Sequence, residues 1–352
     1  MQYKNAIRLA ILDLIITLFA AGPTASRSDA ERYPYLSARF SQLVAESYQD
    51  QNPAGARSFY RWMDRAYKGM HYRFPGNQRL GLEGLLRSKK RELGRINDAP
   101  KRARAEAEVC AYLHKVVKKL VPRFSLDRGF EFSNVVRFGE RQCFLQSVLI
   151  AGLLQGMGVD AGVVMVSRNT HGEETNNGHA VTLVKLPSGQ DIIVDASEPE
   201  PFARQQGLFA RFGGYRYVVP VYGNRADNIL HYKTASGNEE IATASLRPLD
   251  FSFIRSQFWY YRGERAKGGL LSTAPTREGL EAAAHSLQTS VRLCPDNPLA
   301  VYMLGRTYLA QGRADQAAGQ LAQACRLYSR FGWVPAGPKE YLSRTRQQAA
   351  SR

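Results

Sequence analysis

Residues 178–197, GHAVTLVKLPSGQDIIVDAS, contain two apolar runs separated by a short turn sequence. Valine, leucine and isoleucine dominate both runs, which favours β-strands over His179–Leu186 and Asp191–Ala196. Pro187-Ser188-Gly189 between them is typical of a tight turn, so the segment predicts a β-hairpin. A histidine opens the first strand, and an aspartate lies near the end of the second.

A cysteine begins the apolar segment that precedes this hairpin. Residues 142–157 are rich in apolar side chains and end in a turn at Gly156 and Gly158, as expected of a buried α-helix. Cys143 lies in the first turn of this helix. The unpaired N–H groups and the positive end of the helix dipole there favour the thiolate form of a cysteine.

The predicted hairpin brings a base and a carboxylate together beside this thiol. His179 and Asp195 lie at similar distances from the turn, so they are expected roughly opposite one another on the paired strands. An imidazole–carboxylate hydrogen bond would leave the second ring nitrogen free to face Cys143. Nucleophile, base and orienting carboxylate together form the arrangement that catalyses acyl transfer.

Four segments around these residues also match the pattern of a known family. They are Phe138–Phe144, Leu149–Gly158, Gly178–Val181 and Ile193–Ser197. With the order cysteine, histidine, aspartate, and 16 positions between the last two, the region 100–225 resembles the transglutaminase-like superfamily, a circularly arranged variant of the papain-like cysteine peptidase fold. The resemblance implies that Cys143 is the nucleophile, His179 its base and Asp195 the residue that orients the imidazole. This chain lacks the tryptophans that the family often has near its histidine and aspartate.

Acyl transfer also needs hydrogen-bond donors for the oxyanion that forms on the substrate. The backbone N–H of Cys143, at the start of the helix, is one expected donor. The side-chain donor is expected to be Gln142 or Asn134, and the sequence leaves the choice between them open.

No cofactor and no metal ion are expected. Cys110, Cys294 and Cys325 lack the short paired spacing of a zinc site. The sequence leaves open whether Cys294 and Cys325 form a disulfide or remain free thiols.

The remaining segments predict an α+β chain with five parts. Residues 1–26 have the basic start, apolar stretch and small-residue end of a signal peptide, which predicts a secreted or periplasmic protein, or a cytoplasmic one if this assignment fails. Residues 27–99 are a predicted helical region, and 100–245 a transglutaminase-like domain with further strands at Ala161–Arg168 and Tyr215–Tyr222. Residues 336–352 form a basic tail.

Residues 246–335 contain an internal repeat. At positions 34 apart, Ala317 falls on Ala283 and Leu321 on Leu287. This resembles the tetratricopeptide repeat (TPR), two helices with a period of about 34 residues and small residues where the helices cross. Two copies are too few to stack alone, so we expect them to pack on the preceding domain and to allow contacts with other proteins.

Composition and charge limit the possible partners. The chain has 352 residues, 44% of them hydrophobic, and 48 Lys+Arg against 31 Asp+Glu, which gives a net charge of +17. This composition excludes a disordered, collagen-like or polytopic membrane protein. The basic excess flanks the predicted site and fits an anionic envelope surface or an acidic substrate better than nucleic acid, for which the sequence contains no recognisable binding module.

These features together predict a thiol acyl-transfer enzyme that acts on a protein or peptide substrate. Hydrolysis of an amide or isopeptide bond through an acyl-enzyme on Cys143 is the expected reaction, with transfer to an amine as the other outcome. The alternative is an inactive or weakly active protein in which the repeats bind peptides as a scaffold.

Overall fold

The computed structural model describes residues 31–48, 53–72, 74, 80–224, 227–341 and 343. The described residues from Arg32 onward form one compact unit. The signal segment predicted over residues 1–26 and nearly all of residues 342–352 lie outside the described residues. The other predicted domain boundaries fall inside this unit and stay predictions.

In the described part of the chain, the first four helices pack on one another and on a later helix at the centre of the molecule. They are α1 (Ala38–Glu46), α2 (Pro53–Gly69), α3 (Leu82–Gly94) and α4 (Ala99–Leu120). Asp98 caps α4 by accepting a hydrogen bond of 2.7 Å from the Lys101 N–H, and Pro122 follows the end of this helix. Side chains at helical spacing, such as Phe40, Val44 and Phe59, are fully buried. The amphipathic patterns of the sequence therefore correspond to real core faces.

A short parallel pair and two helices lead into the sheet. The pair is β1 (Arg123–Phe124) and β2 (Glu140–Arg141), with α5 (Phe132–Phe138) between them and α6 (Cys143–Gly156) after them. Every residue of α6 up to Gln155 is buried. Because α6 is apolar on all sides, it lies in the centre of the molecule rather than on its surface.

Seven antiparallel strands follow. They are β3 (Asp160–Arg168), β4 (Glu174–Lys185), β5 (Asp191–Val194), β6 (Gly207–Arg211), β7 (Tyr215–Tyr222), β8 (Ile229–Thr234) and β9 (Glu240–Ala242). Their order in the sheet is β5-β4-β3-β6-β7-β8-β9, and β5 also pairs with β8 through Asp191 and Ile229. This last pairing closes six of the strands into a barrel, and β9 extends β8 on the outside.

Both faces of the barrel wall are buried at β3, as the alternation along this strand shows. Val164 and Val166 face a cluster that fills the barrel, whereas Val163 and Met165 belong to the core shared with the helices. Successive side chains point to opposite faces of a strand, so a wall buried on both sides consists of a nearly continuous apolar run. A 3-10 helix (Thr243–Ser245) follows β9.

The chain is α+β, but the predicted transglutaminase-like (papain-like) fold is wrong. The sheet is a closed six-stranded antiparallel barrel, accompanied in the described part of the chain by ten α-helices and one 3-10 helix. Local patterning predicts where strands lie and which side chains they bury. It does not predict closure, because closure depends on a pairing between β5 and β8, which are distant in sequence.

The C-terminal part forms two helical hairpins. The helices are α7 (Phe251–Glu264), α8 (Arg277–Leu293), α9 (Pro298–Ala310) and α10 (Ala314–Arg330). A Cβ atom on Gly263 would lie 2.5 Å from Leu287, and one on Gly305 would lie 2.9 Å from Leu321. In each hairpin the two helices therefore cross where a glycine contacts a leucine, which is consistent with the internal repeat. Their assignment to the TPR family stays a prediction.

These hairpins pack on the centre of the molecule. The ring of Phe258 on α7 lies 4.9 Å from that of Phe144 on α6, and Phe331 lies 5.4 Å from Phe209 on β6. The C-terminal helices therefore share one apolar core with the helix that begins at Cys143.

Candidate active site

A tight backbone contact fixes the start of α6. The Gln142 N–H donates to the Gly129 carbonyl at 2.9 Å, and the Ser125 N–H donates to the Arg141 carbonyl at the same distance. A Cβ on Gly129 would lie 2.3 Å from the Arg141 backbone, so only glycine fits there. The segment before Cys143 is thereby held against residues 125–129, and Cys143 itself is 4% exposed.

The hairpin brings His179 and Asp195 together, with a register slightly different from the predicted one. Thr182 pairs with Val194, so continuing the ladder would place Asp195 beside Val181 rather than beside His179. The two residues still lie on the same face, because they are an even number of positions out of register. The His179 imidazole lies with Nε2 2.6 Å from Asp195 Oδ2.

Asp195 is fully buried, and two further donors hold its carboxylate. Gln205 Nε2 donates to Oδ2 at 2.9 Å, and the Ser197 N–H donates to Oδ1 at 2.9 Å. A buried carboxylate that accepts several hydrogen bonds keeps one orientation. It can therefore fix the ring plane of His179.

The other ring nitrogen of His179 is the one available to the thiol, because Nε2 is bonded to Asp195. Burial lowers the pKa of His179, but hydrogen bonds to Asp195 and to Cys143, and the negative charges of both, raise it to about 10. Cys143 Sγ also lies 3.8 Å from the Gly178 carbonyl. The imidazole of His179 therefore interacts with both the Asp195 carboxylate and the Cys143 sulfur.

Hydrogen bonds between α6 and β4 fix the distance between the cysteine and the histidine. Ser147 Oγ lies 2.8 Å from the Cys143 carbonyl and 2.9 Å from the Ala180 carbonyl. Thr182 Oγ1 donates to the Ser147 carbonyl at 3.0 Å. All these groups are buried, so α6 and β4 cannot move apart without leaving polar atoms unpaired.

The structure treats the two oxyanion candidates differently. Gln142 is 2% exposed, and its side-chain Nε2 is buried without a hydrogen-bond partner among the described residues. Asn134 Nδ2 instead donates to the Arg128 carbonyl at 2.9 Å. Gln142, the residue before Cys143, therefore has a free side-chain donor, whereas one of the two N–H groups of the Asn134 amide is already used.

Several residues near the site were not singled out by sequence reasoning. Gln205 and Ser147 are ordinary polar residues whose role depends on pairing between distant elements. Tyr261, on α7, is buried near the thiol. Burial, followed by the charge of Cys143, raises the pKa of Tyr261 well above its usual range. No local pattern marks these residues, because each reaches the site from a different element.

A second layer supports the segment after β5. Arg141 Nε donates to Gln146 Oε1 at 2.8 Å, and Gln146 Nε2 donates to Ser197 Oγ at the same distance. His114, on α4, lies with Nε2 3.1 Å from the Glu198 carbonyl, and burial lowers its pKa. These contacts hold the backbone on which Asp195 lies.

None of Cys110, Cys143, Cys294 and Cys325 forms a disulfide, so the pairing left open by the sequence is not made. Cys294 Sγ lies 3.5 Å from the Tyr215 hydroxyl instead. Within the described ranges, no three or more His, Cys, Asp or Glu side chains are grouped so that they could hold a metal ion. Among those same residues, no helix combines the length and apolar character needed to cross a bilayer.

Comparisons with known proteins assign no family. No protein-family model matches the chain, and no curated protein matches it. Among solved structures, a crystal structure of menin, described as revealing the binding site for Mixed Lineage Leukemia (MLL) protein, matches with a TM-score of 0.40 and 8% sequence identity. The match covers 88% of this chain and 66% of the menin chain, so this chain spans slightly less than two thirds of that protein's length. A similarity this low assigns neither fold nor function.

Proposed function

We propose that the protein is a thiol acyl-transfer enzyme with Cys143 as nucleophile, His179 as general base and acid, and Asp195 as the group that orients the imidazole. The observation that carries the proposal is the 2.6 Å contact between His179 Nε2 and a fully buried, fully hydrogen-bonded Asp195, with the Cys143 thiol within reach of the same ring. Nucleophile, base and orienting carboxylate in this relation define the catalytic geometry.

The reaction follows from these positions. The Cys143 thiolate attacks the carbonyl carbon of an amide, and the oxyanion accepts hydrogen bonds from the Cys143 N–H and from Gln142 Nε2. The imidazolium of His179 gives its proton to the departing amine as the C–N bond breaks, which leaves a thioester on Cys143. His179 then takes a proton from water, the hydroxyl adds to the thioester, and a carboxylic acid leaves as the thiol is restored.

Water is our proposed acceptor, so the reaction is hydrolysis of an amide or isopeptide bond in a protein or peptide. An amine in place of water would give a cross-link from the same thioester. The cysteine, histidine, aspartate order shared with the transglutaminase-like superfamily supports acyl transfer, although the fold implied by that resemblance does not hold. We also propose a secreted or periplasmic location, from the signal-like sequence of residues 1–26.

One observation favours the alternative function, a peptide-binding scaffold without catalysis. Cys143 is only 4% exposed, so a substrate carbonyl reaches the sulfur only if the surrounding side chains move. His179 is more open, with 21% of its side chain exposed. A scaffold without catalysis predicts an unreactive Cys143 thiol. The reactivity of this thiol therefore tests the alternative function separately.

Thiol reactivity distinguishes the two functions. Cys325 is more exposed than Cys143, so exposure alone predicts that iodoacetamide modifies Cys325 first. A thiolate held by His179 predicts the opposite at pH 6, where ordinary thiols are protonated. We expect peptide mass spectrometry to show Cys143 modified at least tenfold faster than Cys325, and expect His179→Gln to remove the preference.

Modification of Cys325 ahead of Cys143 in the wild-type protein would overturn the proposed mechanism and support the scaffold. Asp195→Asn is a matched variant that keeps the size of the side chain. It should slow modification of Cys143 while leaving that of Cys325 unchanged.

A further inference from the structure

A large cleft opens between α1, the segment 127–134 and helices α7 and α8. Its volume is about 1250 Å³, above the roughly 300–1000 Å³ typical of small-molecule pockets. Gln142, next to Cys143, is bonded to the Gly129 carbonyl, and the neighbouring residues Arg128 and Phe130 line the cleft. The segment 128–130 therefore lines the cleft and also contacts the residue before Cys143.

One wall of the cleft carries a buried donor without a partner. Arg262 donates from Nε to Glu131 Oε1 at 2.6 Å and from Nη2 to Glu131 Oε2 at 3.0 Å, and its guanidinium lies 4.6 Å from the centre of the Trp259 ring. Its side chain is only 7% exposed, and Nη1 has no hydrogen-bond partner among the described residues. An unpaired buried N–H of this kind is costly unless a ligand accepts from it.

A second ion pair in the cleft leaves one carboxylate oxygen without a hydrogen-bond donor. Arg255 Nε donates to Glu46 Oε1 at 2.8 Å, which joins α7 to α1. The other oxygen, Glu46 Oε2, is buried and has no partner in the described part of the chain. The cleft therefore contains both an unsatisfied acceptor and an unsatisfied donor.

The two positions of α7 that carry these ion pairs are separated by about the length of three extended peptide residues. Arg255 and Arg262 are seven residues apart on α7, so they lie on the same face and about 10.5 Å apart along the axis. An extended chain advances roughly 3.3–3.6 Å per residue, so about three residues cover this distance. A peptide offers an N–H and a carbonyl in every residue, which would satisfy Glu46 Oε2 and Arg262 Nη1 after small side-chain rotations of the kind common on binding.

The charges of the lining argue against a polyanion. Four acidic residues (Glu46, Asp127, Glu131, Glu281) are balanced by four basic ones (Arg128, Arg255, Arg262, Lys267). Nucleic acid requires an excess of positive charge along its path, which this cleft does not provide. Trp259 and Phe130 add apolar surface, as in sites that bind peptides.

We propose that this cleft binds an extended segment of polypeptide through backbone groups, and that this segment belongs to the substrate whose amide reaches Cys143. The second part of the inference rests on the proposed function, whereas peptide binding by the cleft does not. Because these groups in the cleft would form hydrogen bonds with the peptide backbone and not with side chains, we expect the cleft to bind many sequences.

The test uses full-length protein with Cys143→Ser, which removes the nucleophile, and fluorescein-labelled, reduced and carboxymethylated lactalbumin as an unfolded polypeptide probe. Ala282, exposed on α8, lines the cleft, so Ala282→Trp places a bulky side chain in it without removing a contact. Ala310→Trp, at an exposed position near the end of α9, is the matched control. We expect fluorescence anisotropy to show at least tenfold weaker binding for Ala282→Trp and no change for Ala310→Trp.

His285→Trp, a second exposed lining position, should weaken binding in the same way, and circular dichroism checks that each variant is folded. Absence of probe binding, or equal binding by the blocked and control variants, would overturn the proposal for the cleft. Cleft-dependent binding combined with an unreactive Cys143 would instead leave the cleft in place and remove the proposed enzyme function. The two proposals can therefore fail independently.

Discussion

The His179 imidazole is held between a carboxylate and a thiol inside the protein. Asp195 is itself held by Gln205 and by the Ser197 N–H, so the ring cannot rotate away without breaking buried hydrogen bonds. At the residue scale, the raised pKa of His179 is therefore a property of the packed site. It also links the protonation of this residue to the stability of the fold.

We expect this linkage to reduce stability at alkaline pH. The pKa of His179 is raised from 6.5 to about 10 in the folded protein, so its contribution is complete below pH 6.5 and is lost as the pH rises through about 10. His179→Gln should therefore lower the pH dependence of the unfolding free energy over this range, measured by urea denaturation. The exposed control His171→Gln should retain the wild-type dependence, and equal slopes in all three proteins would refute the linkage.

At the scale of elements, the two glycines of α6 differ in whether the surrounding core leaves space for a larger side chain. A Cβ on Gly152 would lie 2.5 Å from the Phe40 ring, whereas one on Gly156 would have its closest contact, with Leu86, at 3.4 Å. The first distance requires a rearrangement of the core, and the second is an ordinary contact. Position 152 is thus the place where α1 approaches α6.

We expect Gly152→Ala to destabilise the protein by about 1–3 kcal/mol, because overpacking shifts a buried aromatic ring. Gly156→Ala, on the same helix, should be neutral or slightly stabilising, because alanine has the higher helix propensity. Chemical denaturation of both variants measures the difference. Equal stability of the two variants would show that α1 can shift at little cost, and that the close approach of Phe40 to Gly152 does not matter for stability.

At the scale of the whole molecule, the C-terminal hairpins and the barrel share one core. Phe258 on α7 contacts Phe144, the residue after the proposed nucleophile, and Arg262 on the same helix lines the cleft. Helix α7 of the C-terminal hairpins therefore packs against α6 and also forms part of the cleft.

This shared core predicts cooperative unfolding. Phe258 is 2% exposed, and Phe258→Ala should cost about 3–5 kcal/mol. Since the core is continuous, we expect one thermal transition at a lower temperature, seen equally by circular dichroism and tryptophan fluorescence. Leu271→Ala, at a half-exposed position, serves as the control and should change little. Two separate transitions would indicate that the hairpins fold as an independent domain.

Part of the fold and site follows from local sequence. The apolar run after Cys143 predicts α6, and the strands predicted at Ala161–Arg168 and Tyr215–Tyr222 match β3 and β7. β6, β8 and β9 were not predicted; β8 and β9 carry mixed polar and apolar residues. The likeness to a papain-like fold was misleading because it rested on one helix and one hairpin. Both a closed barrel and an open sheet can contain these two elements.

The sequence by itself determined the thiol at a helix start and the hairpin that carries His179 and Asp195. These depend on periodicity and turn residues within short segments. Only the tertiary structure decided the barrel closure, the support of Asp195 by Gln205, the free donor of Gln142 and the cleft between α1 and α7. Each of these requires contacts between elements far apart in the chain, and side-chain patterns within one segment carry no information about such pairings.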